Sequence, residues 1–287
     1  MDDQRSDLLQ RLKYPPHLRN RLVGAEIELS RAPREMHDVV RTNNISVCED
    51  GSLDKYRGTE LVTPPADWPR FVSMITELGD SMHVHGAEAD ETCGLHIHVG
   101  VSDMTVHELY RVLLLYTTLE PYLYGLCDKE RYTSHFCKPW GYSLVGALSA
   151  PNIKEFRKAI DELVYETFDY KALGTGRRVR GRKNRYGAKS EKYVHQRYYG
   201  LNIHSYWYRG TLEFRMHEGT ASGPEILFWA EVCLSLVEAA SRMTVNAIKE
   251  LDTKSINSAT SIPGFRPELL QEAIKRIIQN GVKRCAE

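Results

Sequence analysis

Acidic and imidazole side chains occur at alternate positions in several short segments of this sequence. The first segment, Val23-Gly24-Ala25-Glu26-Ile27-Glu28-Leu29, carries two glutamates on either side of an isoleucine. Side chains of a β-strand alternate between its faces, so Glu26 and Glu28 would lie together, opposite an apolar face. Neighbouring carboxylates repel unless a cation lies between them, and Mg²⁺ and Mn²⁺ prefer oxygen ligands. The segment indicates a metal site, although an ordinary strand with its polar face in water has the same pattern.

The same alternation returns in two later segments, Cys93-Gly94-Leu95-His96-Ile97-His98-Val99 and Thr211-Leu212-Glu213-Phe214-Arg215-Met216-His217. A polar face that only meets water is expected to carry Thr, Lys, Gln and Ser. Here the predicted polar faces carry mostly acids, imidazoles and an arginine, which suits a metal-bound site that handles anions. On strict alternation, these polar positions are His96 and His98 in the first segment and Thr211, Glu213, Arg215 and His217 in the second.

These side chains can be given separate chemical roles. His96 could add a nitrogen ligand to a carboxylate-held metal. Arg215 follows Glu213 by two residues on the same predicted face, where it could neutralise a phosphate during its transfer. Mg²⁺ held by a few carboxylates commonly binds the phosphates of a nucleotide. The carboxylates that could hold two divalent cations are Glu26, Glu28, Glu60 and Glu213.

Helical patterns separate these strands. Strands with one apolar and one polar face are typical of an antiparallel or mixed sheet covered on one side, so we predict an α+β fold. The segment Tyr198–His204 is predicted as a further strand, and His83-Val84-His85 as a strand end at the surface. Asp103 is a possible N-cap. The predicted helices are Trp68–Gly79, Ser102–Gly125, Asn152–Tyr170, Pro224–Met243 and Pro267–Gln279.

The overall composition is that of an ordinary globular protein, with 42% hydrophobic and 26% charged residues and a net charge of zero. Net charge therefore favours no particular partner. No apolar run of about 18 residues is present, and the N-terminus lacks the apolar core of a signal peptide, so we expect neither a membrane span nor secretion. The six cysteines form no Cys-x-x-Cys pair, which predicts reduced thiols in a cytoplasmic protein.

Six blocks, in this order, resemble the putative amidoligase family, which lies within the glutamine synthetase and glutamate–cysteine ligase superfamily of carboxylate–amine ligases. The resemblance spans roughly residues 21 to 240. The blocks are Gly24-Ala25-Glu26-Ile27-Glu28, Asp50-Gly51-Ser52-Leu53, Glu60-Leu61-Val62-Thr63-Pro64-Pro65, Cys93 to Val99, Leu201-Asn202-Ile203 and Thr211 to Thr220.

The resemblance implies a funnel-like sheet backed by helices, as in the glutamine synthetase catalytic domain, that binds ATP and two Mg²⁺ or Mn²⁺ ions. A carboxylate would be phosphorylated to an acyl phosphate and then attacked by an amine to give an amide. By this resemblance one metal would lie on Glu28 and Glu60, and the other on Glu26, His96 and Glu213. Arg215 would bind the γ-phosphate, His98 would lie near the nucleotide, and the implied catalytic residues are Glu213, Arg215 and Asp50. Arg131 and Arg197 could bind phosphate or a substrate carboxylate, or could simply be solvated.

We divide the chain into an N-terminal segment (1–20), a ligase catalytic domain (21–250) and a C-terminal helical tail (251–287). Within the domain, residues 174–192 carry eight basic residues against one acid, Glu191, which predicts a mobile loop. It could be a solvated insertion or a lid over the site. Binding of nucleic acid is less favoured, because aromatic residues are few there.

An amino acid, a polyamine, a peptide or a protein tail all fit the resemblance as substrates, and the sequence predicts no oligomeric state. Two other functions remain open. A metal-dependent hydrolase could use His96 and His98 with further ligands such as His204 and His217. A protein with this fold could also bind nucleotides or polyanions without ligase activity, although all of the family's acidic positions are filled.

Overall fold

A computed structural model of the chain describes residues 21–48, 58–165, 195–251, 262 and 264–286. A six-stranded antiparallel sheet with flanking helices confirms the predicted α+β class. Residues 1–20, Asp50 and the basic segment 174–192 lie outside the described residues, so what the sequence predicts there stays a prediction. In spatial order the strands are β2 (Ser46–Cys48), β3 (Thr59–Val62), β1 (Val23–Leu29), β4 (Gly94–Gly100), β6 (Thr211–Glu218) and β5 (Leu201–Asn202).

The register of the central strands brings the polar residues of neighbouring strands together. Glu26 on β1 pairs with His96 on β4. Glu28 pairs with Glu60 on β3, and His98 pairs with Glu213 on β6. Cross-strand partners point to the same face of an antiparallel sheet, so these six residues share one face.

The described helices lie between and after the strands, and some of them cover the other face of the sheet. α1 is preceded by a short 3₁₀ turn. The helices are α1 (His37–Thr42), α2 (Trp68–His85), α3 (Val106–Gly125), α4 (Lys129–Thr133), α5 (Tyr142–Leu148), α6 (Ile153–Tyr165), α7 (His204–Arg209), α8 (Gly223–Arg242), α9 (Val245–Lys249) and α10 (Pro267–Ala286).

The apolar face of the sheet is buried beneath α2, α3 and α8. The four apolar side chains of β1 are almost fully shielded from solvent, and α8 is buried along most of its length. α3 begins at a capping box between Thr105 and Glu108, not at Asp103 as predicted. Thr105 accepts a hydrogen bond from the N–H of Glu108, whose carboxylate accepts one from the N–H of Thr105.

α2 is longer than the sequence pattern predicts. The predicted end, Gly79, lies inside the helix, where it allows the backbone of α8 to come close. The apolar spacing continues to the buried Met82, and the helix ends at Gly86, whose positive φ of 70° suits glycine. The predicted strand end His83-Val84-His85 is therefore wrong, because these residues form the last turn of α2.

We expect Gly79→Ala to destabilise the fold by about 1–3 kcal/mol. A Cβ at Gly79 would lie 2.6 Å from the Cα of Gly223, so α2 and α8 would have to move apart. Gly146→Ala in α5 is the matched control, because a Cβ there meets no atom within 4 Å. It should be neutral or stabilising by up to about 1 kcal/mol. Urea unfolding of both variants measures the difference, and equal stability of the two would contradict the tight helix contact.

The predicted strand Tyr198–His204 is confirmed only at Leu201–Asn202, which pairs with β6. Tyr198 ends a 3₁₀ turn that begins at His195, and His204 begins α7, which ends at Gly210 with a φ of 71°. The alternation therefore predicts a longer strand than the structure has.

None of the helices in the described part of the chain is both long enough and apolar enough to cross a membrane.

Candidate active site

Three strands supply one group of possible metal ligands. Nδ1 of His96 lies 3.4 Å from Oε2 of Glu26 and 3.8 Å from Oε1 of Glu213. Each of the three residues offers a ligand atom within 4.8 Å of the other two, and all three side chains are largely buried. Two carboxylates and one imidazole form a donor set that suits Mg²⁺ or Mn²⁺.

A second group meets the first at His96. Glu28, Glu60 and His96 also offer ligand atoms within 4.8 Å of one another. Oε1 of Glu28 lies 3.8 Å from Nε2 of His96, while its Oε2 accepts a hydrogen bond of 2.6 Å from the N–H of Gly94. This backbone donor fixes the carboxylate of Glu28. The two groups together use the five residues that the resemblance assigns to metal.

Gly94 leaves room for this second group. A Cβ at position 94 would lie 3.1 Å from Nε2 of His96 and 3.3 Å from both Oε2 of Glu28 and Nη2 of Arg131. Because these three polar groups surround the position so closely, only glycine avoids crowding them. Gly94, two residues before His96, thus has a steric role in the site.

Glu213 is held by two neighbours. The guanidinium of Arg215 donates a hydrogen bond to Oε1, and Nδ2 of Asn202 donates one of 2.6 Å to Oε2. Burial alone would raise the pKa of Glu213, but the charge of Arg215 and the imidazole of His98 lower it to about 2. The carboxylate is therefore ionised throughout the neutral range, as a metal ligand must be.

Glu26 has an equally polar environment. Nη1 of Arg209 donates a hydrogen bond of 2.7 Å to Oε1, and Nε2 of His98 lies 3.2 Å from the same oxygen without the alignment of a hydrogen bond. Burial raises the pKa of Glu26, but the imidazoles of His96 and His98 outweigh it and hold the pKa far below its usual range. Nδ1 of His98 faces Oγ1 of Thr211 at 3.1 Å, which fixes the ring.

A β-bulge on β6 separates His217 from this face. Ile97 pairs with Phe214 but Leu95 pairs with His217, so β6 has one extra residue. His217 therefore lies on the helix-covered face with Leu95. There its Nε2 is 3.3 Å from Oε1 of Glu225 on α8. The prediction that His217 shares a face with Glu213 and Arg215 is wrong, because strict alternation does not allow for a bulge.

Arg131 stabilises the bulge. Its Nη2 donates to the carbonyl of Arg215 at 2.8 Å and its Nε to the carbonyl of Met216 at 3.2 Å. The side chain is buried, so it is not the solvated arginine that the sequence left open as an alternative. A role in binding phosphate or substrate carboxylate stays a prediction.

A cavity open to solvent lies beside the first group, next to Glu26 and Glu213. Arg197 lines it, as do Asn202 and Arg209, which the sequence analysis did not assign to the site. Asn202 belongs to one of the six blocks and could have been found there. Arg209 lies in α7, beyond the predicted strand Tyr198–His204, and no sequence motif pointed to it.

The sequence also matches a known family. A family model described as "Putative amidoligase enzyme" matches residues 28–237, which is most of the chain. The chain belongs to the putative amidoligase family. No curated protein matches the sequence. The matched range includes Glu28, Glu60, His96 and Glu213 but begins two residues after Glu26. Membership in the amidoligase family supports an enzyme that forms amide bonds.

Proposed function

We propose that the protein is an ATP-dependent ligase that joins a carboxylate to an amine as an amide, using two divalent metal ions. One observation carries the proposal beyond the family name. Two groups of metal-ligating atoms meet at His96, and the guanidinium of Arg215 lies beside them on Glu213. A buried cation next to carboxylates that are arranged for metal is the arrangement expected for phosphoryl transfer.

The donor atoms fit the metals that the proposal requires. Glu26, His96 and Glu213 would hold one Mg²⁺ or Mn²⁺, and Glu28 and Glu60 the other. Bound metal would neutralise phosphate charge and orient ATP, which enters as a substrate. The funnel shape and the glutamine synthetase-like architecture belong to this proposal, as does nucleotide contact by His98. Arg131 and Arg197 would bind phosphate or a substrate carboxylate.

The residues of the chain then have defined tasks. Arg215 stabilises the negative charge on the oxygens of the transferred phosphoryl group. The substrate carboxylate forms the new P–O bond as ADP leaves, and the amine nitrogen then forms the C–N bond as phosphate leaves with the amine proton. Asn202 holds Glu213 in place during both steps. Asp50 stays a predicted catalytic residue outside the described part of the chain.

The structure favours this proposal over a hydrolase. A hydrolase based on His96 and His98 would need further imidazole ligands, and His217 lies on the opposite face of the sheet. Nδ1 of His204, the other histidine considered, is 2.7 Å from the hydroxyl of Tyr165. Carboxylates outnumber imidazoles in both groups of ligand atoms.

Measurement of ADP tests the proposed function. With pools of carboxylic acids and amines, ADP and phosphate should form only when both pools, ATP and Mg²⁺ or Mn²⁺ are present. Removal of metal by a chelator should stop the reaction, and added metal should restore it. Amide hydrolysis without ATP would indicate a hydrolase instead. ATP binding without ADP formation in any pool would indicate a protein that only binds nucleotides.

A further inference from the structure

The cavity beside Glu26 and Glu213 has a wall that the metal ligands do not use. Arg197, Asn202, Ser205, Tyr208 and Arg209 form it. Together with Arg215, the lining has three guanidinium groups against the two carboxylates. This excess of positive charge favours a ligand that carries an anionic group.

Asn202 lines the cavity and carries a hydrogen-bond acceptor that has no partner among the described residues. A carboxylate only accepts hydrogen bonds, so the amide nitrogen of Asn202 must face Glu213, and Oδ1 is directed elsewhere. The residue is 5% exposed, and within the described residues Oδ1 has no hydrogen-bond partner. A buried acceptor left without a partner destabilises the structure. A ligand N–H donor would remove this destabilisation.

Arg209 offers the same cavity a positively charged hydrogen-bond donor. Its Nη1 donates to Glu26 at 2.7 Å, and its side chain is 37% exposed, so part of the guanidinium faces solvent. Arg197 lines the cavity too, with its guanidinium 5.1 Å from the ring centre of Tyr198. The forked guanidinium group is well suited to pairing with a carboxylate.

We propose that this cavity binds the amine substrate, and that this substrate is a free amino acid. Its amino group would donate to Oδ1 of Asn202, and its carboxylate would pair with Arg209 and Arg197. A polyamine lacks the carboxylate, and so does a lysine side chain of a protein. That the bound amino acid is a substrate rests on the proposed function. Its binding to the cavity can be measured without turnover.

Ligand-observed saturation-transfer NMR on the full chain, without ATP, tests this. One sample contains a pool of the common amino acids. The other contains the corresponding amines without the α-carboxylate, together with putrescine and spermidine. One or a few amino acids should give transfer signals, and the amine pool should give none. Equal signals from the amine pool, or no signal from either pool, would overturn the proposal without reliance on any variant.

Variants then locate the site. Arg209→Gln should weaken amino acid binding by about tenfold or more, since a charge-assisted pair is lost. Arg242→Gln, at the exposed end of α8, is the matched control and should bind like the unmodified chain. Unchanged binding by Arg209→Gln would overturn the assignment. If amino acids bind but ADP never forms, the proposed ligase function fails and the amino acid site stands. If ADP forms with simple amines only, the ligase function stands and the amino acid site fails.

Discussion

Glu213→Gln is expected to lower the affinity for Mn²⁺ by at least about 100-fold and the rate of ADP formation by about 1000-fold. Glutamine keeps the shape of the side chain but removes the charge with which Glu213 would bind metal. It also removes the anionic partner of Arg215, whose guanidinium then loses its fixed position. Metal binding and turnover should therefore fall together. Titration calorimetry with Mn²⁺ and an assay of ADP release measure the two effects.

Glu88→Gln provides the control for this experiment. Glu88 forms an exposed ion pair with Arg31, outside the two groups of ligand atoms, and exposed pairs contribute little to stability. Its metal affinity and turnover should match those of the unmodified chain. Metal binding by Glu213→Gln at the original affinity would show that Glu213 is not a ligand. If Glu213→Gln loses turnover but keeps its metal affinity, Glu213 only positions Arg215 and does not bind metal.

The acidic face could be predicted because a regular strand obeys a simple rule. Glu26, Glu28 and His96 follow strict alternation on strands that pair without interruption, so the sequence placed them correctly relative to the core. The pairing of Glu26 with His96 is a long-range contact, yet both strands bury one apolar face, and this fixes which side chains meet.

The bulge on β6 shows where that rule fails. An extra residue changes the face of everything after it, and no residue type in the segment marks its position. The carbonyl groups that flank it are held by Arg131, which lies 84 residues before Arg215 in the sequence. A feature stabilised by so distant a side chain is invisible to any local pattern, so His217 was assigned to the wrong face.

Arg209 was missed for a related reason. Its importance comes from a hydrogen bond to Glu26, 183 residues away, and from its place at the end of the short helix α7. Tyr206, Trp207 and Tyr208 favour a strand by propensity, but Gly210 ends a helix there with a positive φ. Tertiary packing overrides local propensity in a helix this short.

Away from the site, the largest loss of stability is expected for Arg266→Met. Glu231 on α8 is completely buried, and Arg266 pairs with both of its oxygens, Nε with Oε1 at 2.5 Å and Nη2 with Oε2 at 2.8 Å. Removal of the arginine leaves a buried carboxylate without its countercharge. The free energy of unfolding at neutral pH should fall by about 3–5 kcal/mol. Urea unfolding followed by circular dichroism measures it.

The pH dependence of this loss identifies its cause. Burial raises the pKa of Glu231 even though Arg266 opposes the shift, and removal of Arg266 should raise that pKa further. Because the folded state then binds a proton more tightly than the unfolded state, acidification stabilises the folded variant. The deficit in the free energy of unfolding should shrink from about pH 8 to about pH 5 as Glu231 becomes neutral.

A double variant, Glu231→Leu with Arg266→Met, should recover most of the stability at neutral pH, since neither buried charge remains. A deficit that is the same at both pH values would instead assign the loss to the packing of the arginine side chain.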